Sequence, residues 1–148
     1  MMKNIKLMFS LIILTVLLAS FSGCRAKNQN NFKRKVIRYE SYEINYELYG
    51  DPKAEKTLVF IHGWCGSINV WKNQLNAFPD YKVLAIDLPG HGRSSKDVNA
   101  EYSIGLFVNS ISFILEKENI EEAFIFGHSM GFAVSEVFAL KHPEKVFG

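Results

Sequence analysis

Ala123-Phe124-Ile125-Phe126-Gly127-His128-Ser129-Met130-Gly131-Phe132-Ala133-Val134 is the stretch on which the reading of this chain turns. Ala123 to Phe126 is a short apolar run, which predicts a buried strand. Gly-x-Ser-x-Gly follows, and after it a segment of helical periodicity from Met130 to Lys141, stopped by His142-Pro143. In a strand, sharp turn and helix, a Gly-x-Ser-x-Gly match presents its serine as a nucleophile. Gly127 and Gly131 lack a Cβ, so strand and helix can approach closely while the residue between them takes a strained backbone. Ser129 is then expected at the apex, above the carboxyl end of the strand. The backbone N–H of Met130 opens the helix, where free donors and the dipole favour a developing oxyanion.

Working outward, Thr57-Leu58-Val59-Phe60-Ile61 and Lys82 to Leu88 are further apolar runs, as expected of strands buried on both faces. Val36-Ile37-Arg38-Tyr39 and Ile44 to Tyr49 alternate apolar and polar residues and read as an antiparallel pair. Ser67 is an N-cap candidate for a helix burying Ile68, Trp71, Leu75 and Phe78. Ser103 is one for a helix carrying Ile104, Phe107, Val108, Ile111, Ile114 and Leu115. Lys145 to Gly148 reads as the opening of one more strand. Strands alternating with helices predict an α/β fold, with a mostly parallel sheet and helices on both faces.

The N-terminus reads as a targeting segment. Lys3 and Lys6 precede an apolar stretch, Leu7 to Ala19, of 13 residues. That is shorter than the roughly 20 residues of a membrane-spanning helix. Phe21-Ser22-Gly23-Cys24 closes it, with Phe21 where leucine is usual; it resembles the lipobox of bacterial lipoproteins, which implies cleavage before Cys24 and acylation of its thiol. The alternatives are an ordinary signal peptide or an uncleaved anchor. Residues 24–35, rich in Asn and basic side chains, read as a polar tether, and residues 36–148 as the globular domain. From residue 24 onward, 15 basic side chains balance 15 acidic ones, which removes the electrostatic footprint of a nucleic-acid binder. With Cys24 acylated, Cys65 has no disulfide partner. No cofactor or metal is expected.

Three motifs in order, His62-Gly63-Trp64, Asp87-Leu88-Pro89-Gly90-His91-Gly92-Arg93-Ser94 and Gly127-His128-Ser129-Met130-Gly131, resemble the α/β-hydrolase fold, in its esterase, lipase and epoxide-hydrolase-like branch. The resemblance implies Ser129 as nucleophile, with the N–H groups of Trp64 and Met130 forming the oxyanion hole. It implies supporting roles for His62, which orients the loop, for Gly63, Gly127 and Gly131, and for His128, a structural neighbour of the nucleophile. It implies that Asp87 and His91 brace their loop. Epoxide hydrolases and dehalogenases place Asp where Ser129 stands, so acyl transfer is the expected chemistry.

The family's triad runs Ser, then Asp or Glu, then His, and the last two follow later strands. The expectation is therefore a C-terminally truncated domain, lacking the catalytic acid and His, with an exposed sheet edge and a missing C-terminal half as a possible partner. Two functions stay open: a lipid-anchored serine hydrolase acting on a small-molecule ester or acyl substrate at a membrane surface, or a non-catalytic remnant or interaction module.

Overall fold

The computed structural model describes residues 32–147. The expected signal peptide (1–23), the lipidation site Cys24 and most of the tether lie outside the described residues. Five strands form one mixed sheet: β1 (Lys33–Tyr39), β2 (Tyr42–Gly50), β3 (Thr57–Ile61), β4 (Lys82–Ile86) and β5 (Phe124–Gly127), in the order β1-β2-β4-β3-β5. β2 runs antiparallel to both neighbours, while β4, β3 and β5 are parallel, with Ile61 level with Ile86 on one side and Gly127 on the other. The carboxyl ends of these three strands therefore open onto one end of the sheet.

Two α-helices, α1 (Ile104–Lys117) and α2 (Met130–Lys141), pack on one face. Ser103 caps α1 by accepting from the Leu106 N–H at 3.1 Å. Phe107, Ile111, Ile114 and Leu115 of α1 and Val134 and Phe138 of α2 meet Val59, Ile61, Leu84 and Ile86 in a core with almost no exposure. Each such side chain contributes about 1.5–3 kcal/mol of burial free energy.

The other face is thinner. The expected helix after Ser67 is a single 3-10 turn, Ile68–Trp71, followed by non-helical turns. Ser67 does cap it, and Ile68 and Leu75 are buried as expected, but Trp71 and Phe78 are half-buried. Asn69, Asn73 and Asn76 explain the difference, because asparagine competes with the helix for backbone hydrogen bonds. The cover is still sufficient to bury Leu58, Phe60, Val83 and Ala85.

Four features differ from the sequence reading. β1 starts at Lys33, so Lys33 to Lys35 belong to the sheet and not to the tether. β4 ends at Ile86, because Asp87 turns its side chain into the loop network described below. β5 is an edge strand among the described residues rather than a central, fully buried one: Phe124 and Ile125 are half-buried and Phe126 is 42% exposed. The opening of a further strand at Lys145 is a 3-10 turn, Pro143–Lys145, and a single parallel bridge from Val146 to Ala123.

Candidate active site

β5 hands over to α2 without a connecting loop. The His128 N–H continues the sheet ladder to Ile61 O at 3.0 Å, and α2 begins at Met130. Ser129 alone makes the turn, at φ 55° and ψ −118°. A non-glycine residue at this backbone geometry is strained by about 1–3 kcal/mol and is held there by its surroundings. The surroundings are backbone. A Cβ on Gly131 would lie 2.3 Å from Ile61 O, and one on Gly127 would lie 2.2 Å from Gly131 O. Only glycine at both positions lets α2 sit directly on β3, and that contact aims Ser129 outward. Ser129 and His128 are exposed, while Gly131 is buried. The Met130 N–H lies in the first turn of α2, where no i−4 carbonyl exists to accept it.

The loop after β3 lies against this turn. A Cβ on Gly63 would be 3.1 Å from Ser129 Cβ and 3.0 Å from His128 O. The loop folds back on itself through the Gly66 N–H to Gly63 O bond at 3.0 Å, with Cys65 in the left-handed region at φ 54°. His62 is fully buried beneath it; its Nδ1–H donates to Gly63 O at 2.8 Å, and its Nε2 accepts from the Leu88 N–H at 3.1 Å. These partners fix the neutral tautomer, because a carbonyl can only accept. Burial, first of all, holds the His62 ring below its usual range.

Beside it, the carboxylate of Asp87 is buried without a cation. It accepts from Ile68 N–H (2.7 Å), Arg93 N–H (2.9 Å) and Asn45 Nδ2–H (2.9 Å), the charge-assisted bonds that make such burial tolerable. Ser94 adds a second tie, with its hydroxyl donating to Asp87 O and accepting from the Asn45 N–H. Gly92, at φ 51°, has to be glycine, since a Cβ would lie 2.2 Å from the Asp87 carboxyl. His91 packs edge-on against Trp64 (5.6 Å between ring centroids) and beside His62 (5.1 Å). Trp64 itself is 69% exposed.

The three motifs named from sequence thus meet at one end of the sheet, at the carboxyl ends of β3, β4 and β5. Asn45 went unrecognised: it sits in the alternating stretch of β2, where its polarity read as an outward face, yet it is 1% exposed. A cleft of about 530 Å³ is lined by Phe32, Lys33, Lys35, Tyr49, Lys82 and Glu118 among others, all remote from Ser129. It is not the pocket for chemistry at that serine. Among the described residues no cluster could hold a metal ion, and no helix is long and apolar enough to cross a membrane.

The model of the alpha/beta hydrolase fold family matches residues 56–147. The chain is 37% identical to Epoxide hydrolase B of Mycobacterium tuberculosis over 118 residues, covering 77% of this chain and 33% of that protein. It is 32% identical to an uncharacterised hydrolase of Bacillus subtilis over 106 residues, covering 71% and 38%. Among solved structures, a bacterial membrane phospholipase A superposes with a TM-score of 0.73 at 27% identity, over 98% of this chain and 50% of its own. The thioesterase domain from the curacin biosynthetic pathway gives 0.72 at 27%, over 79% and 42%. The chain spans about a third of the length of these curated relatives. With matched motifs, matched topology and a family model covering more than half its residues, this chain belongs to the α/β-hydrolase fold family.

Proposed function

We propose that the chain is a serine hydrolase that cleaves an ester or related acyl bond through an acyl-enzyme on Ser129. The observation that carries this is the exposed serine at φ 55°, ψ −118°, set between the end of β5 and the first turn of α2. In this reading Ser129 Oγ bonds to the acyl carbon and gives up its proton to a base. The carbonyl oxygen becomes an oxyanion held by the Trp64 and Met130 N–H groups. The leaving group then departs with that proton, and water releases the acid. This reading needs a general base and an acid to orient it, and it gives neither role to a described residue.

The serine at the apex, where epoxide hydrolases and dehalogenases carry Asp, favours acyl transfer. A fluorophosphonate probe on the full chain tests the proposal. Labelling at Ser129, absent in Ser129→Ala, is expected; a folded chain whose serine stays unlabelled rejects it.

A second reading, a non-catalytic module, is favoured by one fact. Among the described residues no imidazole or carboxylate hydrogen-bonds to the Ser129 hydroxyl, and a serine without a positioned base is a weak nucleophile. The same labelling experiment separates the two.

The N-terminal sequence supports export as a lipoprotein anchored through Cys24, with the substrate a small molecule met at the membrane surface. Two or more acyl chains hold a protein stably at a bilayer, where one does not. Metabolic palmitate labelling that survives Cys24→Ser rejects this placement.

A further inference from the structure

The peptide between Gly63 and Trp64 is gripped from one side only. Gly63 O accepts both the His62 Nδ1–H (2.8 Å) and the Gly66 N–H (3.0 Å). The described peptide bonds are all trans, and in a trans peptide the C=O and N–H point in opposite directions. Holding Gly63 C=O toward His62 therefore turns the Trp64 N–H away from it. The grip is needed, because Cys65 at φ 54° keeps the turn in a conformation that a non-glycine residue does not favour.

His62 ties the loop to β4 in one protonation state only: Nδ1–H donates to Gly63 O whether or not the ring is charged, but Nε2 can accept only when it is neutral. Its Nε2 accepts the Leu88 N–H at 3.1 Å, so a proton there would set N–H against N–H in a fully buried site. Loss of the Leu88 bond would leave the ring tied only to the loop it is meant to hold. We propose that His62 is a proton-sensitive latch on the oxyanion loop: neutral, it ties the Gly63–Trp64 peptide to the end of β4 through the Leu88 N–H; protonated, it keeps its bond to Gly63 O but loses that tie, so that ring and peptide shift together. This rests on the reading of the Trp64 N–H as an oxyanion donor, and it makes His62 a positioning residue whose titration switches the site off in acid.

The surroundings bear on the sign. From the end of β4, the Asp87 carboxylate favours the protonated ring, and His91, 5.1 Å away between centroids, disfavours it. His128, after β5, brings its Nδ1 to 3.2 Å from where a Cβ on Gly63 would sit. Gly131 of α2 and Ile68 of the 3-10 turn bring no charge, and neither does Phe107 of α1, which reaches His91. Burial outweighs the Gly63 carbonyl, whose hydrogen bond favours the protonated ring, and the weaker pull of the carboxylate, so the latch stays closed at neutral pH and opens below the ordinary histidine value of 6.5.

Imidazole and backbone ¹⁵N NMR on the full chain in detergent micelles tests this. At neutral pH the His62 ring should show the Nδ1–H tautomer, and on acidification the Trp64 amide should shift in step with His62. In His62→Asn, whose amide can still donate to Gly63 O, the Trp64 response should vanish; in His91→Phe it should remain. A Trp64 amide that is silent while His62 titrates in the wild type, or that follows His91 or His128, overturns the proposal without reference to any variant. Fluorophosphonate labelling of Ser129 should slow about tenfold per pH unit once His62 protonates, and lose that acid limb in His62→Asn. If Ser129 never labels, the hydrolase reading fails while the amide titration still decides the latch.

Discussion

Gly131→Ala perturbs the contact that aims Ser129, and its size follows from three distances. The new Cβ would lie 2.3 Å from Ile61 O, 2.7 Å from His62 O and 2.9 Å from Ile61 C, all backbone atoms of β3 and its continuation, which have no rotamer to escape into. Ordinary contact begins at 3.4 Å, so α2 has to retreat by about 1 Å, at the cost of about 1–3 kcal/mol typical of overpacking. For a domain of this size that lowers the melting temperature by about 3–15 °C. A shift of about 1 Å at the serine is also expected to slow fluorophosphonate labelling by about 100-fold.

Gly105→Ala is the matched control. It lies in the first turn of α1, and its Cβ would meet only Ser103 Oγ at 3.7 Å. There the substitution removes backbone entropy from the unfolded chain and should stabilise by up to about 1 kcal/mol without changing labelling. Thermal melts by circular dichroism and probe kinetics on both variants decide the matter. A Gly131→Ala protein that melts within a degree of wild type and labels at the same rate refutes the idea that backbone contact sets the apex.

Three further outcomes follow from the same geometry. Ser129→Gly should abolish labelling yet raise stability by about 1 kcal/mol in urea titration, because glycine relieves the strain at φ 55°. Asp87→Asn should cost about 2–3 kcal/mol by the same measurement, since an amide offers one acceptor and two donors to a site built from three N–H donors. Glu118→Gln should destabilise by about 1–3 kcal/mol, because the Glu118 carboxylate ties Lys35 of β1 (2.6 and 2.8 Å) and the Tyr46 hydroxyl of β2 to the C-cap of α1. That variant should also lower the Tyr46 hydroxyl pKa toward its ordinary value of 10, by removing the carboxylate that, after burial, raises it. An ultraviolet titration reads this directly.

Much of the site was legible because glycine and proline punctuate it. Gly127, Gly131 and Pro143 fixed the bounds of α2, and Ser103 marked the start of α1. What stayed hidden depends on contacts between distant residues. The Ile68, Trp71, Leu75 and Phe78 spacing is helical, but it packs just as well from a 3-10 turn, and asparagines decided between them. Asn45 looks like a solvent-facing position in β2 until the Asp87 carboxylate, 42 residues on, is brought beside it. The edge character of β5 could not be read from its apolar composition, which reports that a strand prefers cover and not that a neighbour supplies it.

The close approach of α2 to β3 has one more implication. Carbonyl oxygens of Ile61 and His62 touch a residue with no side chain, so the angle at which the serine is presented is transmitted by main-chain atoms that every sequence shares. Exchanging one apolar residue for another in the layer beneath, at Val134 or Phe138 for instance, should then leave the hydroxyl aimed as before. A scaffold of this kind keeps its reactive end invariant while the interior drifts, and new specificities can accumulate around a fixed point.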